Sequence, residues 1–212
     1  MGDKYYDDSA SKTDANLFIK INYDLDEKIS LFGDLQMRIV NYQATGIQSS
    51  KIDDTFNFFN PKMGITYHLN KENDFYFSYA KAHREPNRTD YEGGIVKPEK
   101  LDDYELGWRF AKDKVMMNTN IYYMAYKDQL ILTGNLDDVG NPIRSNSDKS
   151  YRLGLEFDAT VEISKQIIIK PNFTFSQNKN KDLNVQNVNV GTKDIAYSPS
   201  FIAGNILVYK PK

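Results

Sequence analysis

Cysteine is absent from these 212 residues, which excludes a disulfide framework and any thiolate metal site without identifying a compartment. Histidine is nearly absent too: His68 and His83 are the only two, and they form no HxxxH-type pair for a metal. No segment approaches the roughly 20 consecutive apolar residues that a membrane helix needs. An excess of one charge is also missing. With 27 Lys plus Arg against 29 Asp plus Glu the net charge is -2, which gives no overall field to hold nucleic acid or an anionic membrane surface. No Ser-His-Asp arrangement, Gly-rich phosphate loop or dinucleotide fingerprint occurs, and no resident cofactor is implied. The carboxylate pairs Asp53-Asp54 and Asp102-Asp103 do not make acid/base dyads, because adjacent strand residues point to opposite faces. The expectation is a protein that is not an enzyme.

What is present is aromatic and alternating. Tyrosine (15) and phenylalanine (12) dominate an aromatic content of 13%, a composition that suits half-buried strands and apolar-to-wet boundaries. Tyr104, Leu106, Trp108 and Phe110 alternate with Asp103, Glu105, Gly107 and Arg109; after Lys112-Asp113-Lys114 the pattern returns through Met117, Thr119, Ile121, Tyr123 and Ala125. A period of two is what a strand imposes on side-chain direction. Tyr151, Leu153, Leu155, Phe157, Ala159, Val161 and Ile163 alternate without error with Arg152, Gly154, Glu156, Asp158, Thr160 and Glu162, so this strand separates an apolar medium from a polar one. Pro171 breaks the following strand's ladder, predicting a bulge or a gap in pairing.

About nine such strands follow one another. The connections alternate: short at Asp26, long at Thr45, short at Asn70, long at His83, short at Lys112, long at Asp128, short at Ser164 and long at Gln177. In an up-and-down meander this places every tight turn at one end, which is the asymmetry of outer-membrane barrels. The fold class expected is therefore all-β: an antiparallel up-and-down meander forming a partial transmembrane β-barrel, with residues 1–212 as one domain. The alternative is a soluble β-barrel or sandwich that binds a hydrophobic ligand or a protein partner, its apolar face turned into a closed core. Mid-strand Asp103, Glu105, Arg109, Arg152, Glu156 and Asp158 suit a hydrated lumen instead. The polar start at Met1-Gly2-Asp3-Lys4 and the abrupt stop after Val208-Tyr209 lead us to expect a piece of a longer exported chain.

Four stretches in order, Phe59 to Tyr67, Phe75 to Pro86, Lys97 to Gly107 and Asn118 to Asp128, resemble the later barrel strands of TonB-dependent outer-membrane receptors. The resemblance implies a bacterial outer-membrane location, an internal portion of a barrel of roughly 22 strands, and uptake of a ferric siderophore, haem, cobalamin or similar solute. It also implies a lipid bilayer around the wall and a TonB complex that acts through a plug domain not seen in this sequence. A piece of such a barrel would expose two strand edges, for which an edge-paired dimer is one escape.

Against that background His83, Arg84, Arg88 and Tyr91 are the ligand-binding candidates, since cationic and stacking groups at the start of a long loop suit an anionic metal chelate. His68, beside a tight turn, is expected to be structural. Asn135, Asp137, Asp138 and Asn141 offer oxygen ligands, but their spacing fits no defined calcium loop and no metal site is expected. Trp108, Phe110, Tyr123 and Tyr151 are expected to serve either as aromatic girdles or as a core face.

Overall fold

In the computed structural model, the described residues are 9–47, 50–92, 97–136, 140–181, 184–185, 188–189 and 191–211. Nine long strands carry the fold: β1 (Ser9–Asp24), β2 (Ile29–Ile47), β3 (Ser50–Asn70), β4 (Asn73–Arg84), β5 (Glu99–Lys112), β6 (Val115–Leu136), β7 (Pro142–Glu162), β8 (Ile167–Lys181) and β12 (Phe201–Tyr209). Between the last two lie the two-residue pieces β9 (Asn184–Val185), β10 (Val188–Asn189) and β11 (Lys193–Asp194), and a single helical turn, α1 (Arg88–Glu92), separates β4 from β5. The main sheet is an antiparallel meander in which β1 to β8 pair in sequence order, with β11 and β12 both on the far side of β8.

The tight turns share one chemistry. The Asp26 carboxylate accepts from the backbone N–H groups of Lys28 and Ile29, Asn70 accepts from Glu72, and Ser164 accepts from Gln166 and Ile167. Asp113 takes the left-handed conformation (φ 49°) that Asp tolerates better than most residues. All four turns therefore close locally at the same end of the strands.

The other end differs from expectation. The stretches 45–55 and 128–149, which lack a hydrophobic period, are mostly strand: β2 and β3 pair as far as Ile47↔Ser50, and β6 and β7 as far as Leu136↔Pro142. β1 likewise starts at Ser9, well before Leu17, where its hydrophobic alternation begins. A ladder needs extended backbone, not apolar side chains, and polar cross-strand pairs line these extensions, as where Gln43 donates to Asp53 (3.1 Å) and Thr55 to Asn41 (2.9 Å). Strands of 19 to 22 residues thus project beyond what a bilayer requires. At Pro171 the outcome is a gap: the β7–β8 ladder holds from Lys149↔Lys181 to Asp158↔Asn172, skips Ala159 and Thr160, and resumes at Val161↔Ile169 with the same offset. A residue without an N–H removes rungs but shifts no register.

One face of the sheet is apolar and bare. Leu106, Ile121 and Phe77 are 55%, 48% and 46% exposed, and among the described residues no second layer covers them. Along β7 the outward residues from Tyr151 to Ile163 cover roughly 40 Å of strand, or about 30 Å of depth at a tilt near 40°, which matches a bilayer's hydrocarbon core. Trp108, Phe110, Tyr123 and Tyr151 all lie on this face, and Trp108 donates its indole N–H to Asn73 (2.9 Å) beside a tight turn. The buried apolar residues gather elsewhere: Tyr42, Ala44 and Tyr91 cluster at the long-connection end, with Ile52 against them.

Candidate functional site

The opposite face is polar and concave. Its lower half is lined by Tyr76, Arg109, Asn118, Asn120, Glu156 and Asp158 around a recess of about 300 Å³. Aromatic rings on this face lie flat across glycines of the neighbouring strand: Tyr76 over its register partner Gly107, Tyr122 over Gly154 and Phe32 over Gly64. A Cβ at any of these glycines would overlap the ring, so each glycine is a socket rather than a flexible point. Arg109 then stacks on the exposed side of Tyr76, 4.4 Å from the ring centroid. Gly154→Val is expected to push the Tyr122 ring off the wall and destabilise the barrel by about 1–3 kcal/mol. Urea unfolding in lipid vesicles tests this; a change below about 0.5 kcal/mol would show that the ring packs equally well elsewhere.

At the upper end the β4–β5 connection folds onto the concave face. Glu85, 9% exposed, receives two hydrogen bonds from Arg38 (2.8 and 2.9 Å) and one from Lys12 (2.6 Å), and Arg38 also grips Asp14. Burial pushes the Glu85 carboxyl up, but hydrogen bonds from Arg38 and Lys12 outweigh it and bring it down to about 2. Past the buried Pro86, Asn87 and Asp90 cap the α1 turn reciprocally: each backbone N–H donates to the other's side-chain oxygen, at 2.9 and 3.0 Å. Asp90 is fully buried, with Arg144 of β7 at 3.6 Å. Tyr91 stacks on Tyr42 and donates its hydroxyl to Asp54 (2.6 Å); burial and this hydrogen bond to a carboxylate raise its pKa. The turn is thereby tied to β2 and β3 on one side and to β7 on the other. The wall must curve for one short segment to reach both.

The four ligand candidates separate into two pairs. His83 and Arg84 close β4; Arg88 and Tyr91 belong to α1. His83 stacks on Phe58 and shares a hydrogen bond with Asn60 (2.8 Å). Arg84 pairs with Glu99 (3.2 Å) and lines a second recess, of about 320 Å³, together with Arg144 and Arg152. Sequence reading passed over those last two arginines because they lie far from His83 in the chain, and only the curled sheet brings β4 and β7 to one recess. His68, expected to be structural, sits between Asp74 (2.7 Å) and Ser30 (3.0 Å). The carboxylate pairs split across the sheet: Asp53 is held by Gln43 and Asp54 by Tyr91, while Asp102 accepts from Tyr79 (2.6 Å) on the apolar side and Asp103 lines the other. Asp137 and Asp138 lie outside the described residues, and no metal-binding group of His, Asp and Glu occurs among those described.

A family described as "TonB dependent receptor-like, beta-barrel" matches residues 2–210. The chain belongs to this family. It is 32% identical over 107 residues to the ferric-pyoverdine 358 receptor of Pseudomonas putida, a match covering 49% of this chain and 13% of that receptor. Among solved structures, the alcaligin outer-membrane receptor FauA of Bordetella pertussis aligns over 97% of this chain and 35% of its own (TM-score 0.70, 18% identity). The ferric-catecholate import receptor Fiu of E. coli aligns over 97% and 33% (TM-score 0.71, 14% identity). The chain thus spans about a third of the length of these receptor structures. As part of a TonB-dependent receptor barrel it belongs to the outer membrane. In such a barrel the tight turns face the periplasm and the long connections face outside. The anchored α1 turn and the arginine recess accordingly sit at the extracellular end of the lumen wall.

Proposed function

We propose that this chain forms an internal portion of the barrel wall of a receptor that imports an anionic metal chelate of the ferric-siderophore class. The observation that carries the reading is the recess where Arg84, Arg144 and Arg152 converge from β4 and β7 at the outer end of the lumen. Guanidinium groups at a concave, partly desolvated surface suit a chelate that presents carboxylate, catecholate or hydroxamate oxygens around a hard metal ion. Arg84 is the sequence candidate that contributes directly. Arg88 and His83 flank the same connection, and Tyr91, committed to Asp54, acts by holding α1 in place. The apolar face contacts lipid, and the energy-coupling TonB complex acts through a plug domain of the whole receptor.

The test uses the whole receptor in cells, with radio-iron uptake measured for a panel of ferric catecholate, hydroxamate and pyoverdine chelates. Arg84→Ala with Arg152→Ala is expected to weaken apparent affinity for the transported chelate by about 10–100-fold, as expected for losing charge-assisted hydrogen bonds of about 1.5–3 kcal/mol. Unchanged uptake across the whole panel would remove this recess from the transport path.

A further inference from the structure

The convex face carries a second charged feature that the lumen reading leaves unused. Lys100 of β5, Lys127 of β6, Lys149 of β7 and Lys181 of β8 are direct register partners, each opposite the next across four consecutive strands. They share the face of Tyr104, Tyr123 and Tyr151, because each lies an even number of positions from the tyrosine of its own strand, or from outward Phe175 on β8. Like charges placed directly opposite one another destabilise a sheet. Here the cost goes uncompensated within the chain: among the described residues no ion pair reaches any of the four. Carboxylates are nonetheless used nearby on the same face, where Lys81 pairs with Asp102 (3.8 Å) and Lys179 with Asp194 (2.7 Å).

Position gives the row its meaning. Tyr79, Tyr104 and Tyr123 are register partners that close the apolar band, and the lysines follow within a few residues on the side of the long connections. Side chains at that level meet the headgroups of the outer leaflet. With strands about 4.8 Å apart, the four ammonium groups span roughly 15 Å, a comb too long for a single phosphate. Lys181 lies over the Tyr151 ring (5.0 Å), so its charge rests on the aromatic border. We infer that this row is a docking surface for a multiply phosphorylated lipid headgroup in the outer leaflet, whose phosphates supply the counter-charge that the sheet withholds. The near-zero net charge of the chain hides such a surface, because acidic residues elsewhere cancel it in the sum.

The experiment uses the whole receptor, released in mild detergent and incubated with bis-phosphorylated lipid A, with the same lipid stripped of phosphate, or with phosphatidylglycerol. Retained lipid is counted by native mass spectrometry. The unchanged receptor is expected to retain the bis-phosphorylated lipid at least about tenfold better than either other lipid. The combined Lys100→Gln, Lys127→Gln, Lys149→Gln and Lys181→Gln variant is expected to lose that preference, and the corresponding four-arginine variant to keep it. Equal retention of phosphorylated and stripped lipid, preference for phosphatidylglycerol, or full retention by a folded glutamine variant would each overturn the proposal. Should the glutamine variant fail to show the heat-modifiable gel migration of a folded barrel, the comparison of lipids on the unchanged receptor decides by itself.

Discussion

Arg38→Ala is expected to release the β4–β5 connection from the wall of the whole receptor. The substitution leaves the buried Glu85 carboxylate with only Lys12, whose own side chain is half exposed. Removing one partner of a buried, hydrogen-bonded ion pair is destabilising by about 3–5 kcal/mol, because the remaining carboxylate loses hydrogen bonds that water does not replace. The loss is local, so amide exchange of Asn87 to Tyr91 should accelerate by more than a hundredfold while the central strands keep their protection. Exchange of that segment within threefold of the unchanged protein would show that the Tyr91 and Asp90 contacts hold the turn without Arg38. The same cluster sets a pH dependence. Glu85 titrates at about 2 in the folded protein and near its ordinary 4.5 once released. Its contribution is therefore complete above about 4.5 and declines as pH falls toward 2, so acid alone should loosen this connection first.

Leu155→Arg is expected to destabilise the assembled barrel by about 2–4 kcal/mol, the cost of a cation on the lipid face near mid-depth. Glu156→Gln, one residue along and on the lumen side, should stay within about 0.5 kcal/mol. Unfolding of the whole receptor in vesicles measures both. Spin labels at the two positions add an independent reading: the Leu155 label should be quenched by a lipid-soluble relaxant and the Glu156 label by a water-soluble one. A tolerated arginine together with a label shielded from both relaxants would mean that this face packs against protein.

Much of the architecture was legible because the two media on either side of the wall write themselves into alternate residues. The error-free alternation from Tyr151 to Ile163 placed β7 and both of its faces, and the short turns were marked by Asp26, Asn70 and Ser164, whose side chains close them. The outer halves of β2, β3, β6 and β7 were not legible. Both of their faces meet water or polar groups, so no hydrophobic period exists to be read, although the backbone ladder continues. Local chemistry fared better than distant chemistry at the site. Arg84 was visible beside His83, whereas Arg144 and Arg152 were invisible as its neighbours.

The sequence by itself determined the meander, its apolar and polar faces and the end that carries the tight turns, since each follows from the period of two and from contacts within a few residues. Only the tertiary structure decided which residues meet across the wall. Curvature brings α1 against both β2 and β7, gathers arginines of β4 and β7 around one recess, and strand register aligns four lysines from four strands. Register and curvature are properties of strand pairing over the whole sheet, and no single stretch of chain encodes them.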